Sequence, residues 1–206
     1  MKKILSIAIS AAFAVSCRQK QINSSIYTVD ETASKVEWKG SAPDHYHIGS
    51  FDVKGTLNTA SSGTINGGDF IIPIASIKDF DLQDPVRQTL LDDLKSANFF
   101  NLLVHPQAQF HITSVKPYSA ADTAAVAGAN YMLTGDFSMI GQTHSISFPA
   151  KIERSEKGLS AEAKFNIDRT KWGMTIYSDP SKPLYILPEV NLTIKIEAKD
   201  SKLVTL

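Results

Sequence analysis

The strongest constraint on this chain is alternation. GLSAEAKFNID places Leu159, Ala161, Ala163, Phe165 and Ile167 at every second position, and EVNLTIKIEAK does the same with Val190, Leu192, Ile194, Ile196 and Ala198. Successive side chains of a strand point to opposite faces, so each run has one dry and one wet side. SKVEWKG repeats the pattern through Val36 and Trp38, and HIGSFDVKGTLN carries it on through Phe51, Val53 and Leu57, with Gly49 and Gly55 as bends or bulges. GDFIIPIASI adds Phe70 and Ile72, and its Pro73 predicts a sheet edge or a bulge. QAQFHITSVKPY contributes Phe110 and Ile112. NYMLTGDFSMIGQTHSISFPA reads as a hairpin turning at Gly141-Gln142, with Phe137 and Met139 on one arm and Ile146 and Phe148 on the other. About eight such strands make an antiparallel barrel or a sandwich, and alternation alone does not separate the two.

One segment departs from period two. DLQDPVRQTLLDDLKSANFF spaces Leu82, Val86, Leu90 and Leu94 four apart behind Pro85, which predicts a short amphipathic helix over 84–96. With 206 residues, 43% of them hydrophobic, the chain suits one domain with a sizeable core. Basic and acidic residues both total 21, so the strong basic footprint of a nucleic-acid binder is missing.

The first residues predict export. Lys2 and Lys3 precede a short apolar run, ILSIAISAAFAV, that ends in small residues, which makes 1–16 a signal peptide rather than a membrane span. The run closes on AVSC, where Cys17 is the only cysteine of the chain. No intramolecular disulfide can form, and the arrangement resembles a bacterial lipobox, in which that residue becomes the acylated N-terminus. Residues 17–25 are then a lipidated start and flexible linker, and 26–206 the folded domain. An exported, membrane-anchored lipoprotein follows, facing the periplasm or held in the outer membrane, with acyl chains as the tether.

Chemistry is sparsely encoded. His45 and His47, two apart, share a strand face and could serve a metal-dependent enzyme, yet no cysteine or clearly spaced carboxylate joins them. There is no G-x-S-x-G elbow, phosphate loop or dinucleotide fingerprint, so the expectation is no enzyme and no cofactor. Asp168-Arg169 beside Trp172-Gly173 reads either as a ligand clamp at a barrel mouth or as a pair that fixes a strand end. The aromatic residues read singly as core and together as a cavity lining.

Several stretches jointly resemble the YceI-like family of polyisoprenoid-binding proteins. They are YTVDETASKVEWKG, HIGSFDVKGTL, FFNLLVHPQAQFHITSV, YMLTGDFSMIGQTHSISFPA and FNIDRTKWGM. Asn101, His105 and His144 depart from the family pattern, at positions expected to face solvent or loops. The resemblance implies an all-β, extended lipocalin-like antiparallel β-barrel of about eight strands with one short helix. It also implies an apolar tunnel for an isoprenoid lipid, a quinone or a polyprenyl phosphate. Its walls would be Phe51, Val53, Phe70, Ile72, Phe110, Ile112, Phe137, Met139, Ile146, Phe148, Phe165, Ile167, Leu192 and Ile194, with Arg169 or His47 at the head group. The alternatives are the His45–His47 enzyme and a structural lipoprotein with a filled barrel. A homodimer stays open.

Overall fold

The computed structural model describes residues 24–119, 125–156 and 158–201. Cys17 and residues 1–16, expected from the sequence to be a signal peptide, therefore lie outside the described residues. The strands are β1 (Ser25–Val29), β2 (Lys35–Ser41), β3 (Tyr46–Phe51), β4 (Lys54–Thr59), β5 (Ile65–Pro73), β6 (Lys78–Asp79), β7 (Gln107–Pro117), β8 (Tyr131–Met139), β9 (Gln142–Ser155), β10 (Gly158–Asp168) and β11 (Glu189–Asp200). One α-helix, α1 (Val86–Lys95), lies between β6 and β7, and short 3-10 turns occupy Ile74–Ser76 and Arg169–Trp172.

All the pairings are antiparallel, and β1 returns to β11, so the sheet closes on itself. Three staves of the barrel are bent strands read as two pieces: β1 with β2, β3 with β4, and β5 with β6. Eight staves result, in simple up-and-down order. This is the size at which a barrel either fills with side chains or holds one small ligand. At the break between β1 and β2 the ladder is patched by other groups. The Asp30 N–H donates to the Glu197 carbonyl at 2.7 Å, and the buried Ser34 hydroxyl accepts the Glu197 N–H at 2.9 Å.

Several expectations shift in detail. Pro73 is neither on an edge nor in a bulge. It ends β5, an internal strand, opposite Gln107 where the chain leaves the sheet. The hairpin turns on Ile140-Gly141, both at positive φ, because Met139 pairs with Gln142. Such a two-residue turn matches the twist of the flanking strands. Helix α1 begins at Val86, with Pro85 capping it, and buries no residue completely. Val86 is 59% exposed because a strict spacing of four drifts around a helix of 3.6 residues per turn, and the packed face is Leu90, Leu91 and Leu94.

The wall opens at a seam between β9 and β10. The β9–β10 ladder ends at Ala150 opposite Ala163, and beyond it the two strands are not paired among the described residues. Phe148 and Phe165 stack across the gap with centroids 4.0 Å apart. Trp172, 1% exposed, packs edge-on against Phe137 and His144 and donates its indole N–H to the Phe137 carbonyl at 3.0 Å. His144, expected toward solvent, is half-buried against that indole.

Candidate functional site

The barrel is hollow, which rules out the filled-barrel alternative. An upper chamber of about 350 Å³ opens at the end that carries α1 and the 169–188 segment. A smaller chamber of about 80 Å³ lies deeper, and the two share Val36, Ile72, Phe137 and Leu192 as walls. Phe51, Met139 and Ile167 face the upper chamber, as do Ile72, Phe137 and Leu192. Val53, Phe70, Phe110, Ile112, Ile146, Phe148, Phe165 and Ile194 face the lower one. Every wall position named from the sequence thus borders one chamber or the other. The lining is mostly apolar, with polar groups such as His47 and the Trp38 indole on the upper wall, and the upper chamber's volume lies within the ~300–1,000 Å³ typical of small-molecule sites.

The roof is made by residues outside the alternating strands. Leu90 and Leu94 of α1 come from one side, Phe99 and Phe100 from the turn after it, and Met174, Tyr177, Leu184 and Ile186 from the 169–188 segment. The helix supplies a visible apolar stripe, but the last segment has no periodicity to reveal its inward residues. Their partner is Arg169, 3% exposed. Its Nε donates to the Leu187 carbonyl at 3.3 Å, one terminal nitrogen to the Ile176 carbonyl at 3.0 Å and also to the Met174 carbonyl, and the other to the Ile186 carbonyl at 2.9 Å. Burial lowers the guanidinium's pKa, opposed by the neighbouring Asp168 charge. The Asp168 carboxylate caps the 3-10 turn through the Thr170 N–H and hydroxyl, and the hydroxyl in particular holds its pKa below the usual carboxylate range. Of the two sequence readings of this pair, the structure displays the one that fixes a strand end. Arg169 staples the roof from within and is not a free cation at the mouth.

His47 does stand at the mouth, on the wall of the upper chamber. Its Nδ1 lies 2.8 Å from Asp81 Oδ2, while the Ile48 N–H donates to Asp81 Oδ1 at 2.7 Å. Burial acts to raise the Asp81 carboxyl, but these hydrogen bonds, the His47 charge and the neighbouring Asp79 carboxyl outweigh it and leave the group below its ordinary value. His45 pairs instead with its neighbour Asp44 at 2.7 Å, and its ring meets that of His47 edge-on at 5.3 Å. The two histidines therefore turn to different carboxylates. Trp38 also lines the chamber, with its buried indole N–H unpartnered.

A closed antiparallel barrel of eight staves around an apolar hollow places the fold in the class of hollow β-barrels. The profile of the YceI-like domain matches residues 27–198, and the chain belongs to that family. Among solved structures, the Burkholderia cenocepacia protein BcnA superposes with a TM-score of 0.66 at 16% identity, covering 82% of this chain and 98% of that one. A polyisoprenoid-binding domain from Saccharophagus degradans, implicated in plant cell wall breakdown, gives 0.60 at 14% identity over 84% and 98%. The Campylobacter jejuni YceI protein gives 0.54 at 18% identity over 74% and 85%. At these identities the likeness is one of fold. No curated protein matches the sequence.

Proposed function

We propose that this protein binds an isoprenoid lipid, a quinone or a polyprenyl phosphate, and carries or stores it without chemically altering it. The observation that carries the reading is the hollow itself, apolar from the roof formed by α1 down to the stacked Phe148 and Phe165. Each five-carbon isoprene unit placed there contributes ~4 kcal/mol of gross burial free energy, from which the cost of ordering the chain is subtracted. Affinity therefore rises with tail length until the two chambers are full. The head group lies at the mouth near His47, since the Arg169 donors already serve the roof. The polyisoprenoid-binding description of the Saccharophagus relative accords with this reading.

The same proposal tethers the barrel to a membrane through acylated Cys17, exported and facing the periplasm or held in the outer membrane. Radiolabelled fatty acid incorporated by the wild type and lost in Cys17→Ala tests the tether. For the cargo, the protein is purified from its membranes, extracted with organic solvent and analysed by mass spectrometry, then titrated with prenols of increasing length. Co-purified prenyl lipid and affinity that grows with each unit support the reading. Repeated absence of both refutes it.

A further inference from the structure

At the rim of the upper chamber three metal-ligating side chains converge with no lysine or arginine to neutralise them. His47 on β3, Asp79 on β6 and Asp81 just beyond each present one ligand atom, all within 4.8 Å of one another. Each carboxylate is anchored through one oxygen, Asp79 by the Leu82 N–H at 2.9 Å and Asp81 by the Ile48 N–H at 2.7 Å. The second oxygen of Asp81 meets His47. The second oxygen of Asp79 is buried and accepts nothing, although the residue is only 5% exposed. The Trp38 indole, in register with Asp79 across Gly49, is also unpartnered, so the two make no hydrogen bond. Buried carboxylates are costly unless they are paired, hydrogen-bonded or bound to a metal. No ion pair among the described residues joins a lysine or arginine to Asp79 or Asp81.

The backbone is shaped to allow this convergence. Gly49 lies between Trp38 and Asp79 in register, and a Cβ there would fall 1.8 Å from the Lys78 carbonyl oxygen. Strands β3 and β6 approach this closely only because residue 49 lacks a side chain. We propose that His47, Asp79 and Asp81 form a binding site for a divalent first-row transition ion, such as Zn²⁺ or Mn²⁺, at the mouth of the barrel. One imidazole nitrogen with two carboxylate oxygens is a donor set these ions accept. Ligand atoms around a tetrahedral ion stand ~3.4 Å apart, so the widest pair draws together by up to about 1.4 Å as the ion binds. Three protein ligands leave at least one coordination position open.

The test of this site needs no lipid. Chelator-stripped protein is titrated with ZnCl₂ and MnCl₂ by calorimetry, with bound metal counted by elemental analysis and folding followed by circular dichroism. The expected result is one equivalent bound by the wild type, at least tenfold weaker binding in Asp79→Asn, Asp81→Asn and His47→Ala, and unchanged binding in His45→Ala. Should Asp79→Asn fail to fold, Asp81→Asn, at an exposed position, carries the comparison. Folded wild type that takes up neither ion at millimolar concentration overturns the proposal. Uptake that Asp81→Asn and His47→Ala leave unchanged overturns it equally, as does binding confined to Ca²⁺ or Mg²⁺, ions that take oxygen ligands.

Discussion

Replacing Arg169 with Met keeps much of the side chain's bulk and removes its donors. Four carbonyls, of Met174, Ile176, Ile186 and Leu187, lose their partner in the roof. At ~1.5–3 kcal/mol for a hydrogen bond to a charged group, four independent losses would approach ~6–12 kcal/mol. They are not independent, because the 173–188 segment can lift and let water reach the freed carbonyls together. The expected cost is therefore ~3–5 kcal/mol, at the upper end for a single substitution. Urea unfolding followed by circular dichroism measures it, with the midpoint falling at near-constant slope. Tyr177, Leu184 and Ile186 belong to the same segment, so the chamber loses part of its roof and protease sensitivity should appear between 173 and 188. A loss below ~1 kcal/mol, with a roof still resistant to protease, would refute the assignment of Arg169 as a staple. Weakened lipid binding at unchanged stability would return it to the head group.

Ala108→Phe, at a wall position of the upper chamber 3% exposed, takes the room of about one isoprene unit. Binding of a prenol long enough to fill the cavity should weaken at least tenfold, since ~3–4 kcal/mol of gross burial is displaced; equal affinity in a fluorescence titration would place the ligand elsewhere. Gly49→Ala sets a methyl against the Lys78 carbonyl and the Trp38 ring, and should cost ~2 kcal/mol or more in urea unfolding, because the obstructing atoms are backbone and packed indole. Asp30 accepts a hydrogen bond from Lys199 at 2.6 Å, which with the Thr32 hydroxyl lowers its pKa from 3.8 to about 2. Since the folded value lies below the unfolded one, this carboxylate stabilises the barrel above about pH 4, and the contribution is lost as pH falls toward 2. Asp30→Asn should flatten the acid limb of the stability profile in that window, and an unaltered limb would contradict the linkage.

The barrel was legible because β10 and β11 alternate strictly over their lengths, and such strands need a partner on each side. Period two names the inward side chains of every stave, which is why the expected wall residues do border the chambers. It does not say whether those side chains meet in the middle, and neither the hollow nor its depth could be read from residues such as Phe51 or Leu192. The roof was less visible. Leu90 and Leu94 lie on a recognisable helical stripe, whereas Tyr177 and Ile186 occupy an aperiodic segment that only Arg169 organises. Asp79 and Asp81 stood unnoticed in an acid-rich approach to α1, because strand β6 is two residues long and leaves no pattern. The pairing of Asp79 with Gly49 is what brings them to His47.

Chain entry and exit share one pole of the barrel. Strand β1 starts at Ser25 opposite Thr59, and β11 finishes at Asp200 opposite Tyr27, both remote from the opening under α1. An eleven-residue strand such as β7, rising ~3.3 Å per residue and tilted about 40°, sets attachment and access roughly 25 Å apart. Under the proposed tether at Cys17, the point of attachment and the opening lie at opposite poles of the barrel, so a cargo enters and leaves at the end farthest from where the chain is held.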